Sequence, residues 1–404
     1  MDVQQNLRKQ KFLGKTGMII FITLANMFIP LSTDLYLPAL PSLSTYFGVS
    51  ATITNLTLVS FFFFFAVGTL FWGPMSDKYG RKRILLIGSG LYVASSVVCA
   101  ISVTIYMMIA ARIVQGIGAG AIIAVSTALI KDCFAGGQRT TILALVQSAS
   151  GLAPMIAPVL GAVLLMVTDW RGSFVALTIA GLLCLLLSFL YQETLVEEER
   201  YEGSVWGSLG RLVTVGKNVG FMVPCLIFGL YNLSFMGYIA VSSYIYVDVF
   251  GLSEQLYSIF FAANAALSLL GSVAYVRFLT GVNKRKLASA CFLIYVASGI
   301  FLVLLGGRLP LLFWIGFMPF SVASTISRPF GTNIMLDQQS GDTGSASSLI
   351  NGIATIFGSI GMLCAALWGD IVFGLGVMIC FTGVVSITGW ILLMRSGVPC
   401  RGVK

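Results

Sequence analysis

Gly73-Pro74-Met75-Ser76-Asp77-Lys78-Tyr79-Gly80-Arg81-Lys82-Arg83 stands between two long apolar runs, at about 52–74 and about 84–104. Each run can cross a bilayer core, which takes about 20 predominantly apolar residues. The stretch between them is short, crowded with Lys and Arg, and carries glycines that permit a tight reversal of the chain. Two spanning helices joined by a basic turn is the local reading, and it recurs along the chain.

Working outward, the apolar runs give twelve candidate spans at about 17–38, 52–74, 84–104, 106–130, 140–166, 172–191, 219–247, 255–279, 286–305, 310–335, 345–368 and 371–394. Composition agrees: 57% of the 404 residues are hydrophobic and only 10% are charged, whereas a soluble domain carries about 25% charged residues. The expected fold is an all-α membrane protein of twelve transmembrane helices in two six-helix bundles. The longest polar stretch, Gln192 to Asn218, divides the spans six and six. It predicts an N-terminal bundle over 1–191, a cytoplasmic linker over 192–218 and a C-terminal bundle over 219–404. Gly80-Arg81-Lys82-Arg83-Ile84-Leu85 after the second span is echoed by Asn283-Lys284-Arg285-Lys286-Leu287 after the eighth, close to half the chain length away. Such internal repeats are what a rocking transporter with a central site needs.

The formal net charge of +9 does not form one patch. Lys and Arg fall in alternate loops and at both ends, with only Arg171 and Arg308 on the other side, so the bias reports orientation and puts both termini in the cytoplasm. Membrane lipid, and no nucleic acid, is the expected surrounding partner. Arg8 to Ile29 resembles a signal peptide in outline, but no small-residue cleavage site follows, and it is read as a retained first helix. Eight scattered cysteines without a CxxC pair read as small buried residues. There is no histidine, which removes the usual metal ligand and the usual proton carrier near neutral pH. No catalytic, metal or cofactor site is expected: neither HExxH nor GxSxG occurs.

Of the fifteen acidic residues, Asp34 is the one placed well inside a span. Desolvation and a neighbouring cation act oppositely on a carboxyl group, so a shielded acid can be tuned to exchange protons. Arg112 is a charge inside the fourth span, costing about 2.5–3.5 kcal/mol on insertion scales unless compensated, and should face the protein interior. Counted from the outer helix ends at about 1.5 Å per residue, the two lie at similar depth, so that they are candidates to pair. Gly116, Gly120 and Ala124 give small-xxx-small spacing for close helix approach. The G-x-G-x-x-A match at Gly116, Gly118 and Ala121 is no dinucleotide site, because no strand precedes it. Gly151 to Gly161 holds Pro154 and Pro158, which remove backbone donors on one face and should bend the fifth span.

These motifs carry a family resemblance. Gly73 to Arg83 resembles the GxLaDrxGrk signature of the major facilitator superfamily, and Arg112-Ile113-Val114-Gln115-Gly116-Ile117-Gly118-Ala119-Gly120 resembles its RxxQGxGaa motif. Gly151-Leu152-Ala153-Pro154-Met155-Ile156-Ala157-Pro158-Val159-Leu160-Gly161 is similar to the antiporter motif of drug exporters, although Ala153 stands where glycine is usual. Ser32 to Pro41, Trp170-Arg171, Phe260-Phe261-Ala262-Ala263-Asn264 and Gly344-Ser345-Ala346-Ser347 resemble the bicyclomycin-resistance (Bcr/CflA) branch of drug:proton antiporters. That resemblance implies the twelve-helix fold and export of varied drugs. It implies a latch between halves built on Gly73, Asp77, Gly80 and Arg81, with Asp77 facing the helix start near Gly344 and Ser345.

Proton coupling is assigned to Asp34 and Arg112. Candidate substrate contacts are Asn26, Tyr36, Gln115, Tyr231, Asn232, Phe235, Tyr238, Asn264 and Arg328, because aromatic faces with occasional amides suit loosely specified amphipathic ligands. Phe61 to Phe65 points all round its helix and cannot form one binding stripe. The expected activity is proton-coupled export of small lipophilic drugs or antibiotics by a monomer in the bacterial inner membrane. The alternative is a proton-linked carrier of an amino acid, sugar or organic anion. A sugar porter would show a PESPR-like end to span six, where this chain has Glu193-Thr194-Leu195.

Overall fold

The computed structural model describes residues 10–134, 136–195, 197, 200, 214–338 and 343–396. It separates into two compact units, Met1–Ser208 and Leu209–Lys404. The first holds α1 (Gly14–Asp34), α2 (Leu40–Phe47), α3 (Ala51–Tyr79), α4 (Arg81–Ala100), α5 (Ile105–Cys133), α6 (Gly136–Val167) and α7 (Trp170–Leu190). The second holds α8 (Val219–Gly229), α9 (Tyr231–Tyr244), α10 (Glu254–Ala274), α11 (Lys284–Phe301), α12 (Pro310–Asp337), α13 (Thr343–Ala365) and α14 (Ile371–Arg395). Among the described residues, eleven helices are long and apolar enough to cross a membrane. A bent pair, Gly14–Phe28 with Pro30–Phe47, supplies a twelfth when taken as one span. The chain is an all-helical, multi-pass membrane protein. With no water in the hydrocarbon region, backbone groups must pair within each segment, and helices do this.

Two local expectations need correction. The first span does not run straight over 17–38. It bends by 42° beside Pro30, where a proline removes a backbone donor and crowds the preceding turn. Beyond Asp34 the chain makes a 3-10 turn at Leu37–Ala39 and re-enters a helix at Leu40. Pro38 and Pro41 sit in first-turn positions, where a missing N–H is harmless, and Gly48 ends α2 at φ 63°. Nor is Gly73 to Tyr79 a loop: α3 continues through Pro74 to Tyr79. The reversal is made by one residue, Gly80 at φ 97°, a backbone angle that side chains disfavour. Helix α6, by contrast, continues through both Pro154 and Pro158.

The helices pack closest where side chains vanish. A Cβ on Gly116 would come 2.5 Å from the Phe61 carbonyl oxygen of α3, and one on Gly120 would come 2.7 Å from the Thr69 nitrogen. A Cβ on Gly161 would fall on the Leu35 carbonyl, just past α1. The second unit repeats this last crossing, since a Cβ on Gly361 of α13 would fall on the Leu233 carbonyl of α9. The two glycines lie half the chain apart, like the two basic loops, so the repeat extends from the sequence echo to helix crossings.

Candidate functional site

Arg112 is wholly buried and Asp34 is 4% exposed. Asp34 is the last residue of α1, and its carboxylate accepts a hydrogen bond from Thr33 Oγ1 at 2.9 Å. It makes no ion pair with Arg112; the four ion pairs among the described residues lie elsewhere. Similar depth along the two helices does not bring the groups together, because the guanidinium is already engaged. Arg112 Nε donates to the Thr57 carbonyl at 3.1 Å, and Nη1 donates to the Ser32 carbonyl at 3.0 Å and to Gln115 Oε1 at 2.6 Å. Its Cζ lies 4.2 Å from the Phe61 ring centroid and 4.8 Å from that of Tyr36, distances at which a cation is attracted to the ring face. Nη2 has no partner.

Each partner is held in turn. Gln115 Nε2 donates to Ser96 Oγ at 2.7 Å, fixing the amide so that its oxygen faces Arg112. Tyr36 and Thr57 hydroxyls are 2.8 Å apart, and Ser32 Oγ is 2.5 Å from the Tyr92 hydroxyl. One cation thus ties α1, α3, α4 and α5 through carbonyls, hydroxyls and an amide, which compensates a charge that lipid could not solvate. Asp34 lies two residues beyond the Ser32 carbonyl that Arg112 grips. Arg112 therefore positions the strand of chain carrying the acid without neutralising it. Ser32, Thr57, Ser96 and Tyr92 escaped the sequence reading; the signal for them is small hydroxyl residues inside otherwise apolar spans.

At the helix ends, Arg81 is 7% exposed and joins Asp77 in an ion pair, donates Nε to Asp132 Oδ2 at 3.1 Å and Nη1 to Ser76 Oγ at 2.6 Å. Asp132 and Ser76 were not singled out by the sequence. Gly80 packs against Glu193, whose Oε2 accepts the Lys82 N–H at 3.0 Å at the start of α4. A carboxylate there satisfies a backbone donor the helix leaves free. The Gln10 side chain donates Nε2–H to the Gln192 carbonyl at 2.9 Å and accepts the Gln192 N–H at Oε1 at 2.8 Å. The first residues of the expected linker are therefore part of the first unit. Positions 201–213 lie outside the described residues, as do the side chains at Gly344 and Ser345 named for the latch.

The remaining candidates are placed as follows. Asn26 donates to Ser126 Oγ at 3.1 Å, while Tyr36 and Gln115 are fully buried in the Arg112 network. In the second unit, Asn232 is 9% exposed and donates to the Gly229 carbonyl. Tyr231 and Phe235 are half-buried and Arg328 is exposed. Tyr238 stacks on Phe317 with centroids 3.8 Å apart and on Phe261 at 5.9 Å. Asn264 donates to Ser321 Oγ at 3.2 Å. The Tyr238 hydroxyl and the Asn264 side-chain oxygen are buried without a protein partner. Unlike the first unit, whose centre is a hydrogen-bonded cation, the second has an aromatic wall in which the Tyr238 and Tyr246 hydroxyls, among other polar atoms, are buried without a protein partner. No cluster of His, Cys, Asp or Glu able to hold a metal occurs among the described residues.

A family model described as Major Facilitator Superfamily matches residues 22–362. YdgK of Bacillus subtilis (strain 168), named as an MFS-type transporter, is 30% identical over 356 residues, covering 86% of this chain and 88% of that protein. A bicyclomycin resistance protein homolog of Haemophilus influenzae is 26% identical, covering 96% of this chain and 99% of that one. Among solved structures, a D-xylose-proton symporter superposes with a TM-score of 0.72 at 16% identity, covering 96% of this chain and 98% of that chain.

Proposed function

The chain belongs to the major facilitator superfamily, and on that premise we propose that it exports small lipophilic drugs or antibiotics across the bacterial inner membrane in exchange for protons. It is a transporter and not an enzyme. The observation that carries the proton half is Asp34, the only carboxylate among the buried polar and charged residues described. The name of the Haemophilus relative supports the drug half.

In this mechanism Asp34 takes a proton in the outward-facing state and releases it in the inward-facing state as drug enters. Protonation and drug binding oppose each other, which is the coupling free energy that exchange requires. Arg112 acts as a positioning residue, gripping the Ser32 carbonyl so that the acid stays shielded. Gly161, within the Gly151, Pro154, Pro158 and Gly161 motif, brings α6 onto the chain next to Asp34 and gives the two a shared pivot. Gly73, Asp77, Gly80 and Arg81 serve as the latch, and both termini face the cytoplasm. Tyr238 and Asn264 offer the drug a flat aromatic face with one hydroxyl and one amide oxygen, while Tyr231, Asn232, Phe235 and Arg328 are secondary contacts.

The test uses proteoliposomes loaded with a cationic dye or a neutral antibiotic, with and without an imposed pH gradient. Wild-type protein should accumulate drug against its gradient, and a protonophore should abolish this. Asp34→Asn should lose uphill transport while retaining downhill exchange. Undiminished uphill transport by that variant would remove Asp34 from the mechanism, and growth on a single nutrient without drug efflux would favour a metabolite carrier.

A further inference from the structure

The two basic loops that repeat across the chain differ in one respect. In the first unit Arg81 is neutralised by Asp77 and Asp132. In the second, Thr280 stands at the place corresponding to Asp77, and Lys284, Arg285 and Lys286 form no ion pair among the described residues. Asp337, at the end of α12, does not pair with them either. The cations are held in position all the same. Asn283 Oδ1 accepts the backbone N–H of Arg285 at 2.9 Å and of Lys286 at 3.2 Å, and Trp390 Nε1 donates to the Arg285 carbonyl at 3.3 Å.

These side chains border an open groove of about 540 Å³ lined by Asn283, Arg285, Lys286, Ser289, Ala290 and Leu293. Arg285 and Lys286 are exposed at its head. Two turns along α11, Leu293 is 57% exposed and makes the wall apolar. Positive charge that makes no ion pair among the described residues, at the end of a spanning helix with an apolar groove on its flank, complements a molecule that is anionic at one end and hydrocarbon at the other.

We propose that this groove binds an anionic phospholipid, with Arg285 and Lys286 on the headgroup phosphate and Leu293 along an acyl chain. Basic side chains at a membrane surface attract anionic lipid with about 1 kcal/mol each, and a rigid mouth concentrates that attraction at one place. Free phosphate would meet the same charges but would gain nothing from the Leu293 wall.

Native mass spectrometry of the full chain released from detergent, titrated with phosphatidylglycerol, phosphatidylcholine or inorganic phosphate, tests the site. One phosphatidylglycerol should remain bound in preference to phosphatidylcholine. The double variant R285Q/K286Q should weaken its retention roughly tenfold or more, whereas the charge-conserving R285K/K286R should retain it. Leu293→Gln should weaken phosphatidylglycerol while leaving any phosphate adduct unchanged. Arg308→Gln, in a different loop, should have no effect. Equal retention of the two lipids, or retention by R285Q/K286Q at the wild-type level, would overturn the proposal. So would inorganic phosphate displacing phosphatidylglycerol at equal concentration. Because the readout is bound lipid and not transport, it is independent of whether drug efflux is proton-coupled.

Discussion

Arg112 shows how much one side chain can organise when lipid denies it water. Lysine carries the same charge but a compact head, so it cannot reach two carbonyls and an amide oxygen at once or lie flat on two rings. Arg112→Lys should lose at least one hydrogen bond to a charged, fully buried group, worth about 1.5–3 kcal/mol. For a unit of this size the midpoint of thermal unfolding in detergent should fall by roughly 5 °C. An unchanged midpoint would mean that the network is incidental. The burial of Arg112 was legible in the sequence, because a lone cation in an apolar run has nowhere else to go. Its partners were not, because depth along a helix says nothing about azimuth. Asp34 and Arg112 could be placed level on paper, yet the guanidinium had closer acceptors in the carbonyls of Ser32 and Thr57.

At the level of elements, length and apolarity delivered most helices to within a few residues, and missed where backbone chemistry interrupts an apolar run without changing its polarity. Pro30 is the clearest case, because its immediate neighbours Phe28, Ile29 and Leu31 are as apolar as the residues before them. A proline inside a helix costs up to about 3 kcal/mol against alanine, so a bend there is maintained at some expense. Pro30→Ala should therefore raise thermal stability by about 1 kcal/mol while cutting drug efflux several-fold, since α1 would straighten and carry Asp34 and Leu35 away from Gly161. A stabilised variant with normal efflux would divorce the bend from transport. The turn at Gly80 was misjudged for the opposite reason: its polar residues suggested a loop, but Ser76 and Asp77 stay helical, where they reach Arg81.

For the molecule as a whole, the alternation of loop charge and the echo of the basic turn made the two-part plan readable from the chain alone. Composition could not separate a half built around a cation from one built around stacked rings, since both read as apolar spans with occasional tyrosine and serine. That difference is an arrangement in space, carried by which faces of α3 and α5, or of α9 and α12, meet. The solitude of Asp34 has an arithmetical consequence. If a single carboxyl carries the exchange, each turnover trades one ion for one drug, and one pH unit is worth 1.36 kcal/mol. For a neutral compound with no membrane voltage, that sustains about a tenfold concentration ratio and no more. Steady-state ratios in vesicles should rise tenfold per unit of imposed pH difference, and a hundredfold slope would require a second ion carrier.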